Sequence, residues 1–293
     1  MTDRVHFRHR TLPYLLLAPQ LLVTLVFFIW PAGRAILQSV QMQDAWGLRT
    51  TFVGVENFAR LLRDDLYLQS FTTTIGFSVV VTFAALSTGL LLAAAGDWVL
   101  RGSSTYRLLL MWPYAVAPAI AGALWYFMFN PSLGVIAYYL RAFGYDWNHY
   151  MRGSDALALI TIASIWKQVG YNFLFFLAGL QSVPRSLIEA AAIDGAGPIV
   201  RFWRVTFPLL WPTTFFLIVM NSVYSFFDTF GVVHATTDGG PVQATTILVY
   251  RVYKTGFIGQ DVGGSAAQSV ILMAMVIALT VFQFRYLDRR VKI

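Results

Sequence analysis

Apolar residues along the chain gather into six long runs, at approximately 12 to 33, 71 to 95, 108 to 129, 156 to 181, 208 to 230 and 266 to 286, with polar and charged residues concentrated between them. The hydrocarbon core of a bilayer is ~30 Å thick and takes about 20 apolar residues of helix to cross. Each run therefore has the length of a span. Lipid offers no partner for backbone N–H and C=O groups, so each span has to be helical. The pattern predicts an all-α, polytopic membrane protein with six transmembrane helices. In the second run Ala85, Gly89 and Ala93 recur every four residues, a stripe of small side chains that lets another helix approach closely. The first run follows Arg4, Arg8 and Arg10 as a secretory signal would. Its apolar part, LLLAPQLLVTLVFFIW, is longer than the core of a signal and ends in WPAGR, so it reads as a retained helix.

Composition agrees with the runs: 57% of residues are hydrophobic and 12% charged, where a soluble domain has about a quarter charged. The chain has no cysteine, which excludes a disulfide framework and any thiolate metal site or nucleophile. The net charge of +7 would suggest nucleic acid if the basic residues formed a patch. They flank the apolar runs instead, and nucleic acid is not expected as a partner. Lys and Arg are retained on the cytoplasmic side of short loops. With both termini cytoplasmic, the inner segments hold Arg4, Arg8, Arg10, Arg101, Arg107, Arg185, Arg201, Arg204, Arg285, Arg289, Arg290 and Lys292, while the much longer outer loops hold fewer. The predicted topology is cytoplasmic at both ends.

Catalytic chemistry is hard to find. There is no GxxxxGK[ST] loop for a nucleotide, no HExxH, and the four histidines, His6, His9, His149 and His234, fall in different segments. Gly195 and Gly197 open something like GxGxxG, but Val200 stands at the third glycine and no strand precedes it. Nothing argues for an enzyme or for a metal or cofactor bound by this chain.

The inner segment between the fourth and fifth runs, RSLIEAAAIDGAGPIVRFWRVTFPLLWP, is unusual for so hydrophobic a chain. Ser186 and Glu189 have the spacing of a capping box, which predicts a helix starting near Leu187 and stopping at Gly195. A second helix is expected from Pro198, with Ile199, Phe202 and Trp203 on one face, leading straight into the fifth span at Pro208.

The segment resembles the EAA motif of the permease subunits of bacterial ATP-binding-cassette (ABC) importers: EAA, three residues, G, nine residues, then I-x-L-P. Glu189, Ala190, Ala191 and Gly195 match it, as does Pro208, and Val205 and Phe207 replace Ile and Leu with other apolar residues. Within the maltose-type group the likeness extends over nearly the whole chain and is to the sn-glycerol-3-phosphate branch. It is carried by LMWPYAVAPAIAGALW, GYDWNH, WKQVGYNFLFFLAGLQSVPRSLIEAAAIDGAGP and FFDTFGVVHATTDGGPVQATTILVYRVY. The resemblance implies a type I importer permease fold in one domain, 1–293, with residues 185–208 as a cytoplasmic coupling segment. Ser186, Glu189, Ala190, Ala191 and Gly195 would form its docking face. It also implies a second related permease, two copies of an ATPase that bind ATP and Mg, and a periplasmic or lipid-anchored solute-binding protein. The chain would line half of a path for glycerol 3-phosphate and its diesters. A sugar or polyol importer is the nearest alternative; a self-sufficient secondary transporter, which needs no docking segment, is the alternative of another class.

Polar groups in a span are costly and turn toward a bundle interior or a water-filled cavity. The fifth run carries Asn221, Tyr224, Ser225 and Asp228 as one stripe, and the fourth carries Lys167, Gln168, Tyr171 and Asn172. Counted along their helices, Lys167 lies roughly 16 Å and Asn221 roughly 14 Å deep at about 1.5 Å per residue. Lys167, Gln168, Asn172, Asn221, Tyr224 and Ser225 are the candidate path residues, with Lys167 as a counter-charge for phosphate. A packing seam toward the partner permease would explain the same stripe. Asp228, an anion nearer the outer end, fits a gate or a structural pair better than solute contact. The outer stretch TTDGGPVQATTILVYRVYKTGF is expected to turn at Gly-Pro and lie at the rim.

Overall fold

The computed structural model describes residues 11–44, 49–97 and 103–287. Arg4, His6, Arg8, His9, Arg10, Arg101, Arg289, Arg290 and Lys292, used above for orientation and for the histidine search, lie outside the described residues. The described chain is helical apart from one small hairpin, and it divides into two compact units, 1–63 with 252–271 and 64–251 with 272–293.

The first unit begins with α1, Leu12–Ser39, which widens into a π turn over Leu25–Ile29. A hairpin follows that the apolar pattern did not predict: β1, Gln41–Gln43, pairs antiparallel with β2, Thr50–Phe52, with Gln41 opposite Phe52. Three-residue strands carry too little alternation to be seen against long helical runs. Helix α2, Glu56–Leu62, closes the turn, and Asn57 donates from one amide to the carbonyls of Ser39 and Gln41 at 2.9 Å each. Arg60 pairs with Asp261 at 2.9 Å within the same unit.

The second unit is a helical bundle built on two long elements, α3, Asp65–Asp97, and a later helix of 30 residues, Gly153–Ser182. Between them come α4, Ser103–Ala115, α5, Pro118–Met128, and α6, Val135–Ala142. The 30-residue helix is therefore α7. It packs most extensively against α3, and the small-residue stripe lies at that contact: Ala85 and Ala93 are fully buried, and a Cβ on Gly89 would come within 2.6 Å of Asn172 Cβ. Gly170 does the same for α4, where a Cβ would stand 2.5 Å from the Leu110 carbonyl oxygen.

The third apolar run is not the single straight span expected. Helices α4 and α5 meet at 101°. Pro118 disfavours helical geometry at the residue before it, and Ala117 is extended, with ψ 142°. After α7 come α8, Arg185–Ile193, α9, Pro198–Leu209, and α10, Trp211–Asp228. The entry into the fifth span is also bent, by 68° at Leu210, where the prolines at 208 and 212 remove two helix donors in one turn. Three further helices follow in the chain: α11, Phe230–Thr236, α12, Leu248–Tyr253, and α13, Val262–Leu287.

The loop between α11 and α12 turns through a cis Gly240–Pro241 bond and is held by its threonines. Thr245 donates to the Gly240 carbonyl at 2.8 Å and Thr246 to that of Gly239 at 3.0 Å. Arg251 then reaches Asp64 at 2.5 Å, which ties α12 to the start of α3.

Candidate functional site

A cavity of about 400 Å³ opens between α4, α5, α7 and α10, within the range of small-molecule sites. Its wall is made by a consequence of the broken third run. In an unbroken helix the Tyr114 carbonyl would accept from the N–H of residue 118, and that residue is proline. The carbonyl is left free for a side chain, and Lys167 Nζ donates to it at 3.2 Å. The ammonium also sits 5.5 Å from the centre of the Tyr114 ring, a cation–π distance. Gly231 on α11 lets Pro118 approach, since a Cβ there would meet Pro118 Cβ at 3.0 Å.

Helix α7 gives the cavity Lys167, Gln168 and Tyr171, and α10 gives it Met220, Val223, Tyr224 and Asp228. Lys167 is 8% exposed, so the cavity holds a cation that is nearly buried, while Asp228 stands exposed at the edge. The Tyr224 hydroxyl is buried near that of Ser164 without a closed hydrogen bond. Residues 224–228 form a π turn, a distortion that is frequent at functional sites.

The polar stripe of the fifth run is divided. Tyr224 and Asp228 face the cavity, while Asn221 and Ser225 turn into the bundle. Asn221 and Asn172, both fully buried, exchange amide bonds: Asn221 donates at 2.7 Å and Asn172 donates back at 3.1 Å. Asn221 also donates to the Leu217 carbonyl, and Ser225 donates to the Asn221 carbonyl at 2.8 Å. Of the candidate path residues, then, Lys167, Gln168 and Tyr224 line the cavity, while Asn172, Asn221 and Ser225 bond to one another behind it. Pattern alone did not single out Tyr114 and Pro118, although a proline inside an apolar run is the signal of a freed carbonyl.

The inner segment forms a second candidate surface. Helix α8 starts at Arg185, two residues earlier than the capping-box spacing predicts. Pro184 is the N-cap and no side chain caps the end. Ser186 therefore lies inside the first turn and the capping box is not made: proline before Arg185 sets the entry, and the Leu187 N–H goes to the Pro184 carbonyl at 3.1 Å. The stop is as expected. Gly195 takes φ +81°, and the N–H groups of Gly195 and Ala196 reach the carbonyls of Ala192 and Ala191 at 3.0 Å each, the paired bonds of a Schellman end.

Ser186, Glu189, Ala190 and Gly195 are exposed, Ala191 is half-buried, and Ile193 is 87% exposed. The second helix does start at Pro198, yet its expected apolar face is split. A π turn over Phe202–Thr206 breaks the 3.6 period, so Phe202 turns inward with Arg201 while Ile199 and Trp203 stay exposed, at 74% and 57%. Ile188, Pro198 and Phe202 meet Ala94 and Leu180 around a cavity of about 170 Å³, which seats the segment on α3 and α7. Among the described residues no group of three or more His, Cys, Asp or Glu side chains could hold a metal.

A multi-pass helical bundle with a buried cation beside an internal cavity, and an exposed helical segment seated on α3 and α7, has the make-up of a transport component. Residues 150–293 match the family of binding-protein-dependent transport system inner membrane components. The chain is 57% identical over 291 residues to the sn-glycerol-3-phosphate transport system permease protein UgpA of Salmonella typhimurium (strain LT2), covering 99% of each. It is 57% identical over 289 residues to that of Rhizobium meliloti (strain 1021) and 56% over 291 to that of Escherichia coli O157:H7, again over 99% of each chain. The chain belongs to the UgpA-type permeases of ABC importers, which are multi-pass, non-catalytic components of the bacterial inner membrane. Among solved structures, a bacterial ABC transporter involved in import of the acidic polysaccharide alginate superposes with a TM-score of 0.82 at 21% identity, over 96% of both chains. The MetNI methionine ABC transporter superposes at 0.55 and 16%, over 78% of this chain and 97% of that one. Both are likenesses of fold.

Proposed function

We propose that the chain is a permease subunit of an ATP-driven importer for sn-glycerol 3-phosphate and its glycerophosphodiesters. The observation that carries this reading is the near full-length identity to permeases of that system. A nearly buried Lys167 beside a cavity of small-molecule size supports it, because an anionic phosphate needs a counter-charge where water is scarce.

The chain crosses the membrane six times as one domain, with both termini cytoplasmic. Three helices, Leu12–Ser39, Asp65–Gly96 and Val262–Arg285, are long and apolar enough to span alone, the bent pair α4 and α5 adds one crossing, and α10 adds another. Helix α7 is the sixth: at 30 residues it is about 45 Å long, and its polar residues Lys167, Gln168 and Asn172 are buried in the chain instead of facing lipid. A second, related permease completes the path. Two copies of an ATPase bind ATP and Mg, and a solute-binding protein delivers the solute. Residues 185–208 are the coupling segment. The Schellman stop and the seat under Ile188 keep it rigid, so movement of the ATPases passes to α9 and α10 instead of being absorbed. Glu189, exposed on the peg, is available for a charge-assisted bond to a basic groove.

The test is ATP hydrolysis by the reconstituted complex with its binding protein, measured with glycerol 3-phosphate and with maltose. Stimulation is expected with glycerol 3-phosphate alone. In Glu189→Ala and Gly195→Pro variants it falls at least tenfold while the subunits still co-purify. Stimulation by maltose instead would move the chain to a sugar importer, and variants equal to wild type would refute the coupling role.

A further inference from the structure

The proposed role of Lys167 as counter-charge for an anionic solute leaves open what balances it when the cavity is empty, and the inference here rests on that reading. Among the described residues Lys167 Nζ makes its hydrogen bond to the Tyr114 carbonyl at 3.2 Å, which leaves two of its three donors uncommitted. A nearly buried ammonium needs a counter-charge. The carboxylate that lines the same cavity is Asp228, across from it on a different helix. The two do not close into an ion pair within 4.0 Å, and cavity lies between them.

We propose that Asp228 is the specificity-determining partner of Lys167: it is the resident counter-anion of the empty cavity, and the anionic group of the solute takes over its role. A neutral polyol of the same size cannot replace a charge, so it gains nothing from Lys167. A phosphate can, and its affinity is set by competition with Asp228. Removing the competitor therefore tightens phosphate binding, the opposite of what loss of a contact residue does.

The test is equilibrium binding of radiolabelled glycerol 3-phosphate to the purified complex of both permeases and two ATPases, without binding protein. Asp228→Asn is expected to lower Kd about tenfold, Lys167→Gln to raise it by more than tenfold, and Asp228→Glu to stay near wild type. The double variant decides the mechanism. If Asp228 acts through Lys167, the Asp228→Asn gain disappears in the Lys167→Gln background. An equal gain in both backgrounds means that Asp228 simply repels the anion, and overturns the proposal. So does an Asp228→Asn complex that assembles normally with unchanged or weaker binding. Should that variant fail to assemble, the double variant still decides: the proposal requires its Kd to match Lys167→Gln alone, and a tighter Kd refutes it. Absence of binding to the wild-type complex also refutes it. Failure of the underlying reading shows separately, as absence of glycerol 3-phosphate stimulation in the wild-type ATPase assay.

Discussion

His149 shows how far one side chain can be read. Its presence in GYDWNH said little, because a lone histidine in a loop has many roles. In the fold it is 2% exposed, its Nδ1 accepts from the Trp147 indole at 3.3 Å, and its Nε2 is buried without a partner. Burial holds its pKa below the usual imidazole value, against the opposing pull of Asp155. Its neighbour Tyr150 is pushed up to about 12 by burial and by its bond with Tyr126, so it does not titrate in the same range. The unfolded chain takes up a proton on this imidazole near pH ~6.5, whereas the folded chain resists it. The stability His149 contributes is therefore present above that pH and lost as pH falls through the lower, folded value. The melting temperature of the purified complex should decline as pH falls below about 6.5, and His149→Gln should flatten that part of the curve. Equal slopes in the two proteins would contradict this account. None of it was legible in the sequence, since the Trp147 bond depends on a loop conformation that no periodicity encodes.

At the scale of elements, apolar length located the helices, three of which are long and apolar enough to cross a membrane alone, and the small-residue stripe located the face of α3 that meets α7. Length did not reveal the breaks. The bend at Ala117 comes from Pro118 and the bend at Leu210 from Pro208 and Pro212, whose lost donors become visible only when the following helix is traced, and the split face of α9 comes from a π turn that shifts the register by a residue. The same limit applies to glycine, whose cost depends on what lies opposite. A helical Gly→Ala change ordinarily favours the helix by about 1 kcal/mol. Gly76 in α3 has nothing within 4 Å of an added Cβ, whereas at Gly170 in α7 that atom would collide with the Leu110 carbonyl oxygen at 2.5 Å. Gly76→Ala should leave the melting temperature of the detergent-purified complex unchanged or raised. Gly170→Ala should lower it by an amount equivalent to roughly 1–3 kcal/mol of overpacking. Similar responses would mean that α4 and α7 do not cross where the structure has them.

For the whole molecule, the missing cysteines turn topology into a clean measurement, because any thiol introduced is the only one in the chain. Three exposed positions bracket the proposed crossings. Phe143, 87% exposed, lies between α6 and α7; Ile193, 87% exposed, ends the α8 peg; and Val242, 94% exposed, tips the loop after α11. One crossing, α7, separates Phe143 from Ile193, and one more, α10, separates Ile193 from Val242. Phe143→Cys and Val242→Cys should therefore react with a membrane-impermeant maleimide added outside spheroplasts. Ile193→Cys should react only in inside-out vesicles, and there more slowly once the ATPase is bound over the peg. If Ile193→Cys and Val242→Cys react from the same side, α9 and α10 form a re-entrant hairpin and the chain has five crossings. That outcome would put one terminus outside the cell. If all three positions behave as expected but ATPase binding leaves Ile193→Cys equally reactive, the topology stands and the docking face must lie elsewhere, with exposed Ile199 and Trp203 on α9 the next positions to probe.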